Sequence, residues 1–264
     1  MIKLWENGAP YFNPDFGQEE PCLEEYPVEG SKTAVIVIPG GGYHFRAEEN
    51  EGTNIIKVLN AFGYTCFMLK YRIAPYHHPV ELGDAKRAVR VVRSLSDKYG
   101  YEQNRIVVIG FSAGGHLTFT LCAKSDNGRD DGDEIDRYSC RPDIGGLCYA
   151  VTTLVGDLQH VGSTNNLLGE GYDPALAHSL SYPDAIPSDN PPMFIWHTCE
   201  DRIVDARGPI ECAEAYITKG IPVEMHIYPF ENHGLGNAEG HHAETWLPLL
   251  AKFIEMIFKK RDKK

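Results

Sequence analysis

Three residue types, met in the order serine, acid, histidine, could together perform acyl transfer in this 264-residue chain. Ser112 stands in Gly110-Phe111-Ser112-Ala113-Gly114, a G-x-S-x-G turn. Such a turn holds a serine at the tip of a sharp, strained passage from strand to helix, with glycines where the two must cross closely. A serine hydroxyl is a weak nucleophile at neutral pH and needs a base, which in turn needs an orienting carboxylate. His233, in Glu231-Asn232-His233-Gly234-Leu235-Gly236, is the best-placed base, because His226 falls inside a strand pattern and His241 and His242 open the terminal helix. The acid lies in Thr198-Cys199-Glu200-Asp201-Arg202-Ile203-Val204-Asp205, where Glu200, Asp201 and Asp205 all compete. An oxyanion hole needs backbone N–H groups aimed at the developing charge. Ala113, just after the serine, supplies one. The Pro39-Gly40-Gly41-Gly42-Tyr43-His44 loop supplies the other through Gly41 or Gly42, with Tyr43 and His44 shaping the substrate pocket.

The elements that must carry these residues follow from hydropathy period. Residues 33–38, 64–70, 105–109, 144–151, 192–197 and 222–228 read as strands, most of them continuous apolar runs of the kind buried on both faces. Helical patterns cover 48–62, 79–99, 113–122, 205–219 and 243–259. In 79–99, Leu82, Ala85, Ala88, Val89, Val92 and Leu95 form the sheet-facing stripe. Strands alternating with helices predict an α/β fold, a mostly parallel sheet with helices on both faces and the site at the strands' carboxyl ends. The whole chain, 1–264, reads as one domain. Residues 1–30 form an irregular arm with one edge strand, and 152–190 form a loop-rich lid or substrate wall. Residues 125–143 are acidic and read as a solvated surface excursion, without the spacing of a calcium loop.

Composition narrows the function. A net charge of -12 argues against nucleic acid and anionic membrane as partners. No secretion signal and no long apolar run is visible, so a cytoplasmic protein is expected. The seven cysteines are odd in number and lack C-x-x-C spacing, which predicts buried thiols and no disulfide framework.

Taken together, these residues resemble the α/β-hydrolase superfamily. More narrowly, they resemble its bacterial acetyl-xylan-esterase-like carbohydrate esterases, relatives of the hormone-sensitive-lipase type esterases. The likeness covers nearly the whole chain. It runs through Leu4-Trp5-Glu6-Asn7-Gly8-Ala9-Pro10, Pro39-Gly40-Gly41-Gly42-Tyr43, Tyr71-Arg72-Ile73-Ala74-Pro75, the Ser112 turn, His197-Thr198 with Asp201 and Val204, and His233-Gly234-Leu235-Gly236. It favours Asp201 as the acid, although Asp205 stands where the group has proline. It implies a serine esterase that hydrolyses short O-acyl esters, chiefly O-acetyl on carbohydrate such as xylo-oligosaccharides, with no metal or organic cofactor. An arylformamidase or a small-peptide hydrolase on the same scaffold is the alternative enzyme. A non-catalytic binding protein is the alternative outside enzymes, and such proteins usually lack a triad member.

Overall fold

A computed structural model describes residues 1–263. One sheet of eight strands runs through it, in the order β1-β2-β4-β3-β5-β6-β7-β8. The strands are β1 (Ile2–Lys3), β2 (Cys22–Tyr26), β3 (Ala34–Ile38), β4 (Thr65–Lys70), β5 (Ile106–Phe111), β6 (Ile144–Cys148), β7 (Met193–Thr198) and β8 (Val223–Tyr228). From β4 to β8 all neighbours are parallel, and β1 and β2 add an antiparallel edge. The N-terminal arm therefore contributes two strands where the sequence pattern predicts one.

Every residue of β3, β5, β6 and β7 is buried, because helices cover both faces of the sheet. Among the described residues the eight α-helices are α1 (Asn54–Ala61), α2 (Val80–Ser94), α3 (Ser96–Tyr99), α4 (Ser112–Ala123), α5 (Val161–Leu168), α6 (Pro174–Ser179), α7 (Arg207–Thr218) and α8 (Trp246–Arg261). Strand alternation divides β5 between the two sides. Ile106 and Val108 pack with α2 and α4, whereas Val107, Ile109 and Phe111 pack with α1 and α8. Each such aliphatic side chain contributes about 1.5–3 kcal/mol by leaving water. A third cluster joins α4, β6, β7 and α7 through Phe119, Leu147, Ile195 and Tyr216. All seven cysteines are free thiols, six of them buried.

Two expectations are modified. The 48–62 pattern begins as a single π-helical turn, Glu49–Thr53, before α1. The acidic excursion 125–143 is not merely solvated. Arg87, Arg90 and Arg93, three residues apart on α2, are buried, and they engage it through ion pairs to Asp133, Asp126, Asp136 and Asp143. They also donate to the carbonyls of Tyr138, Ser139 and Arg141. The helix thus has an apolar stripe for the sheet and a guanidinium stripe for a loop.

A further buried pair locks the start of α2 to the chain leaving β4. Arg72 is bidentate on Asp84, at 2.6 and 3.0 Å, and both side chains are almost fully buried. Arg72 also donates to the Pro10 carbonyl, which fastens the N-terminal arm. Removing one member of a buried pair strands the other charge. Asp84→Ala is therefore expected to lower the unfolding free energy by about 3–5 kcal/mol in urea titration. A shift too small to measure would contradict that accounting.

Candidate active site

The chain crosses over between β3 and β5, so the loops after these neighbouring strands open into one crevice at their carboxyl ends. The loop after β3 holds the glycines, and the turn after β5 holds Ser112. That turn is tight. A Cβ on Gly110 would fall 2.1 Å from the Gly114 carbonyl oxygen, and one on Gly114 would fall 2.3 Å from that of Ile38. Ser112 itself has φ 51, a left-handed conformation that costs a side-chain-bearing residue on the order of 1–3 kcal/mol. The surrounding packing of β5 and α4 imposes it.

The predicted serine, histidine and acid come together. Ser112 Oγ lies 2.8 Å from His233 Nε2, and His233 Nδ1 lies 2.6 Å from Asp201 Oδ2. The Asp201 side chain has no exposed surface, while that of His233 is 14% exposed, which leaves the imidazole open to a small substrate. Asp201 accepts three hydrogen bonds, and a second imidazole stands against it. The Ile203 and Val204 backbone N–H groups donate to Oδ1, both at 2.9 Å. His233 and His197 approach Oδ2, His197 at 3.1 Å. Burial works to raise the pKa of this carboxyl, but the neighbouring His197 and His233 outweigh it and hold the group well below the ordinary carboxylate range. Asp201 is thus a fixed negative charge behind His233.

The competing acids lie elsewhere. Asp205 pairs with Arg207, at 2.6 Å, at the start of α7. Glu200 accepts only the Glu231 backbone N–H. The N–H groups of Gly41, Gly42 and Ala113 have no hydrogen-bond acceptor among the described residues. Gly41 and Gly42 have φ 125 and 64, so the loop presents its backbone in a form that glycine adopts without strain.

One pocket expectation needs correction. Tyr43 does not face a substrate with its side chain. The ring is 1% exposed, its hydroxyl meets His116 Nδ1 at 2.8 Å, and it packs edge-on against Tyr71. The positive φ of 58 at Tyr43 turns the side chain under the loop instead. His44, next to it, is exposed.

Several site residues have no role in the sequence reading, although His197 stands in one of the stretches that carry the resemblance. His197 shares the Asp201 carboxylate and also meets the Val204 carbonyl at 2.9 Å. His160 caps α5, its Nδ1 accepting from the Ser163 backbone N–H at 3.2 Å, which leaves the proton on Nε2. Burial, and then the nearby His233, push the His160 pKa down, so this ring stays neutral beside the base. Asn166 of α5 donates to the Gly42 carbonyl at 2.8 Å, so the 152–190 segment leans on the glycine loop. Glu51 and Tyr149 lie buried beneath the site. Isolated polar residues such as His160, Asn166, Glu51 and Tyr149 carry no motif, and only the folded arrangement brings them to the serine.

Residues 26–214 match the BD-FAE family. The chain belongs to that family. A solved structure described as an acetyl ester-xyloside bifunctional hydrolase from Caldicellulosiruptor lactoaceticus is 42% identical. It superposes with a TM-score of 0.93 over 97% of this chain and 96% of that one. An acetylxylan esterase of Xylanibacter ruminicola is 31% identical over 80% of this chain, and endo-1,4-beta-xylanase B of Butyrivibrio fibrisolvens is 32% identical over 81%. The chain spans only 42% and 34% of the length of these last two relatives. The α/β fold expected from the alternating pattern, and the α/β-hydrolase fold expected from the resemblance, are met by MGS-M1, described as an alpha/beta hydrolase enzyme from a deep-sea metagenome library, which superposes with a TM-score of 0.70 at 24% identity over 98% of this chain and 96% of that one. Among the described residues, no helix is long and apolar enough to cross a membrane.

Proposed function

We propose that this chain is a serine esterase that removes short O-acyl groups, chiefly O-acetyl, from carbohydrate such as xylo-oligosaccharides. The observation that carries the reading is the continuous line Ser112–His233–Asp201, with contacts of 2.8 and 2.6 Å, lying beside backbone N–H groups that have no other acceptor. The relatives support the substrate class, since one is described as an acetyl ester-xyloside bifunctional hydrolase and another as an acetylxylan esterase.

In this reading Ser112 Oγ attacks the ester carbonyl while His233 Nε2 takes its proton. The carbonyl oxygen becomes an oxyanion held by Ala113 and by Gly41 or Gly42. His233 then returns the proton to the departing sugar hydroxyl, leaving an acetyl-serine. A water molecule, deprotonated by the same nitrogen, attacks that ester, and acetate leaves as Ser112 regains its proton. Asp201 keeps the His233 proton on Nδ1 and stabilises the imidazolium during each transfer. His44 and the 152–190 wall border the alcohol side.

Acyl length provides a test. Residues 152–190 carry only short helices, a 3-10 turn at Gly156–Leu158 with α5 and α6, and no long apolar helix to line a fatty-acyl channel. Across p-nitrophenyl esters from acetate to octanoate, kcat/KM is expected to fall as the chain lengthens. A higher value for octanoate than for acetate would overturn the acetyl preference. Formyl anilides and peptide anilides, run alongside, are expected to turn over poorly.

A further inference from the structure

A second carboxylate, Glu51, lies buried under the site, 4% exposed, in the π-helical turn before α1. π-Turns often occur where a side chain has to be redirected for function. Glu51 Oε2 accepts from the Gly40 backbone N–H at 2.7 Å, at the root of the glycine loop. Its Oε1 accepts from the Tyr149 hydroxyl at 2.8 Å. Tyr149 leaves the end of β6 with φ 36, and its oxygen accepts in turn from the Gly236 N–H at 3.0 Å, in the loop that carries His233. The Tyr149 ring stands edge-on to the His233 ring, centroids 4.9 Å apart. The neighbouring Asn50 donates to the Gly234 carbonyl at 2.7 Å.

We propose that Glu51, acting through Tyr149, is a positioning residue that sets the His233 loop and the oxyanion loop in register with each other and places a second negative charge behind His233. This rests on the esterase reading above. Burial raises the pKa of the Glu51 carboxyl, while the hydrogen bonds from Tyr149 and Gly40 oppose that rise, and their pattern supports the charged form. Both partners of Glu51 point a proton at it, and Tyr149 has a single proton to give, so a protonated Glu51 would leave one buried donor without an acceptor. A buried carboxylate with two donors, linked at one side to the loop of the nucleophile's partner and at the other to the loop of the oxyanion hole, costs desolvation that the packing of a leucine would avoid. Its return is geometric: the hydrogen bonds fix two separate loops to one rigid point.

The charge also bears on how readily His233 is protonated. Facing His233 are Asp201 on Nδ1, Glu51 and the Tyr149 ring from below, and neutral His160 from the α5 side, with His197 behind Asp201. On its own loop Glu231 is engaged with His241, at 2.9 Å. Removing the Glu51 charge leaves Asp201 as the remaining buried anion against the ring, and the imidazolium loses stabilisation.

The test compares Glu51→Gln, Glu51→Asp and Tyr149→Phe with the unaltered chain on p-nitrophenyl acetate, each normalised to active sites counted with a fluorophosphonate. In Glu51→Gln, kcat per site is expected to fall on the order of ten- to a hundred-fold, the cost of a small misplacement, with KM little changed. Its acid limb of kcat/KM is expected at lower pH. Glu51→Asp keeps the charge, so its acid limb stays in place while kcat falls. Tyr149→Phe keeps the ring and loses both loop contacts, so its kcat falls too. Unchanged kcat in the folded variants, or a Glu51→Gln acid limb that does not move, would overturn the inference. If Glu51→Gln fails to fold, the Tyr149→Phe kcat decides between the same two results. A chain that shows no Ser112-dependent hydrolysis at all fails the esterase reading instead.

Discussion

Ser112→Ala is expected to abolish ester hydrolysis, with a loss in turnover on the order of a million-fold, while the protein stays folded. The two halves of that expectation have separate causes. Chemically, no other hydroxyl stands within reach of His233 Nε2, so the nucleophile has no substitute among the described residues. Structurally, Ser112 lies at a turn tip whose side-chain oxygen meets only His233. Its removal opens no core cavity, and alanine carries the same backbone strain at φ 51 that serine does. Thermal unfolding should therefore change little, or even favour the variant slightly. Residual activity at a tenth of the original would remove Ser112 from the reaction.

Asp201→Asn is expected to lower turnover by roughly ten-thousand-fold, because an amide in that place favours the wrong tautomer of the base. The local bonding sharpens this. Three donors converge on the Asp201 carboxylate, two from backbone and one from His233, and His197 stands against it. An asparagine can turn its oxygen to the two backbone N–H groups only by presenting its NH2 to both histidines. His233 Nδ1 must then accept, its proton moves to Nε2, and Nε2 can no longer take the proton of Ser112. Asp205→Asn and Glu200→Gln should each cost far less, since their contacts are Arg207 and the Glu231 backbone N–H, and neither carboxylate touches the imidazole. An activity profile with Asp205→Asn severe and Asp201→Asn mild would reverse the assignment of the acid.

The parts of the site that were legible in the sequence are those that covalent geometry forces into a motif. The Ser112 turn needs glycines on both sides because strand and helix cross there, and the buried strands on either side need β-branched runs. These signals are local. The loop positions of Asp201 and His233 follow from the rule that such sheets place their chemistry after the strands. The choice of Asp201 over its neighbours rests on resemblance rather than spacing, and in the fold its Oδ2 lies 2.6 Å from His233 Nδ1.

What was illegible is carried by single polar residues whose partners are remote in sequence. Glu51 falls in a stretch with helical period, where an acid near the start of a helix is ordinarily solvated. The π-turn rotates it inward to Gly40 and Tyr149. Arg87, Arg90 and Arg93 occupy the side of α2 away from the sheet, the side that hydropathy assigns to water. They are buried because an acidic loop some forty residues away folds over them. Tyr43 misled in the opposite direction, since its neighbours in sequence are the pocket glycines and its neighbours in space are Tyr71 and His116.

The most direct measurement of the central claim is acetate release from acetylated xylo-oligosaccharides, followed together with the mass of the sugar. The unaltered chain should free acetate and leave the sugar chain length unchanged, and Ser112→Ala should free none above background. Acetate release that survives the loss of Ser112, or its absence from the unaltered chain while simple aryl acetates are hydrolysed, would contradict the claim.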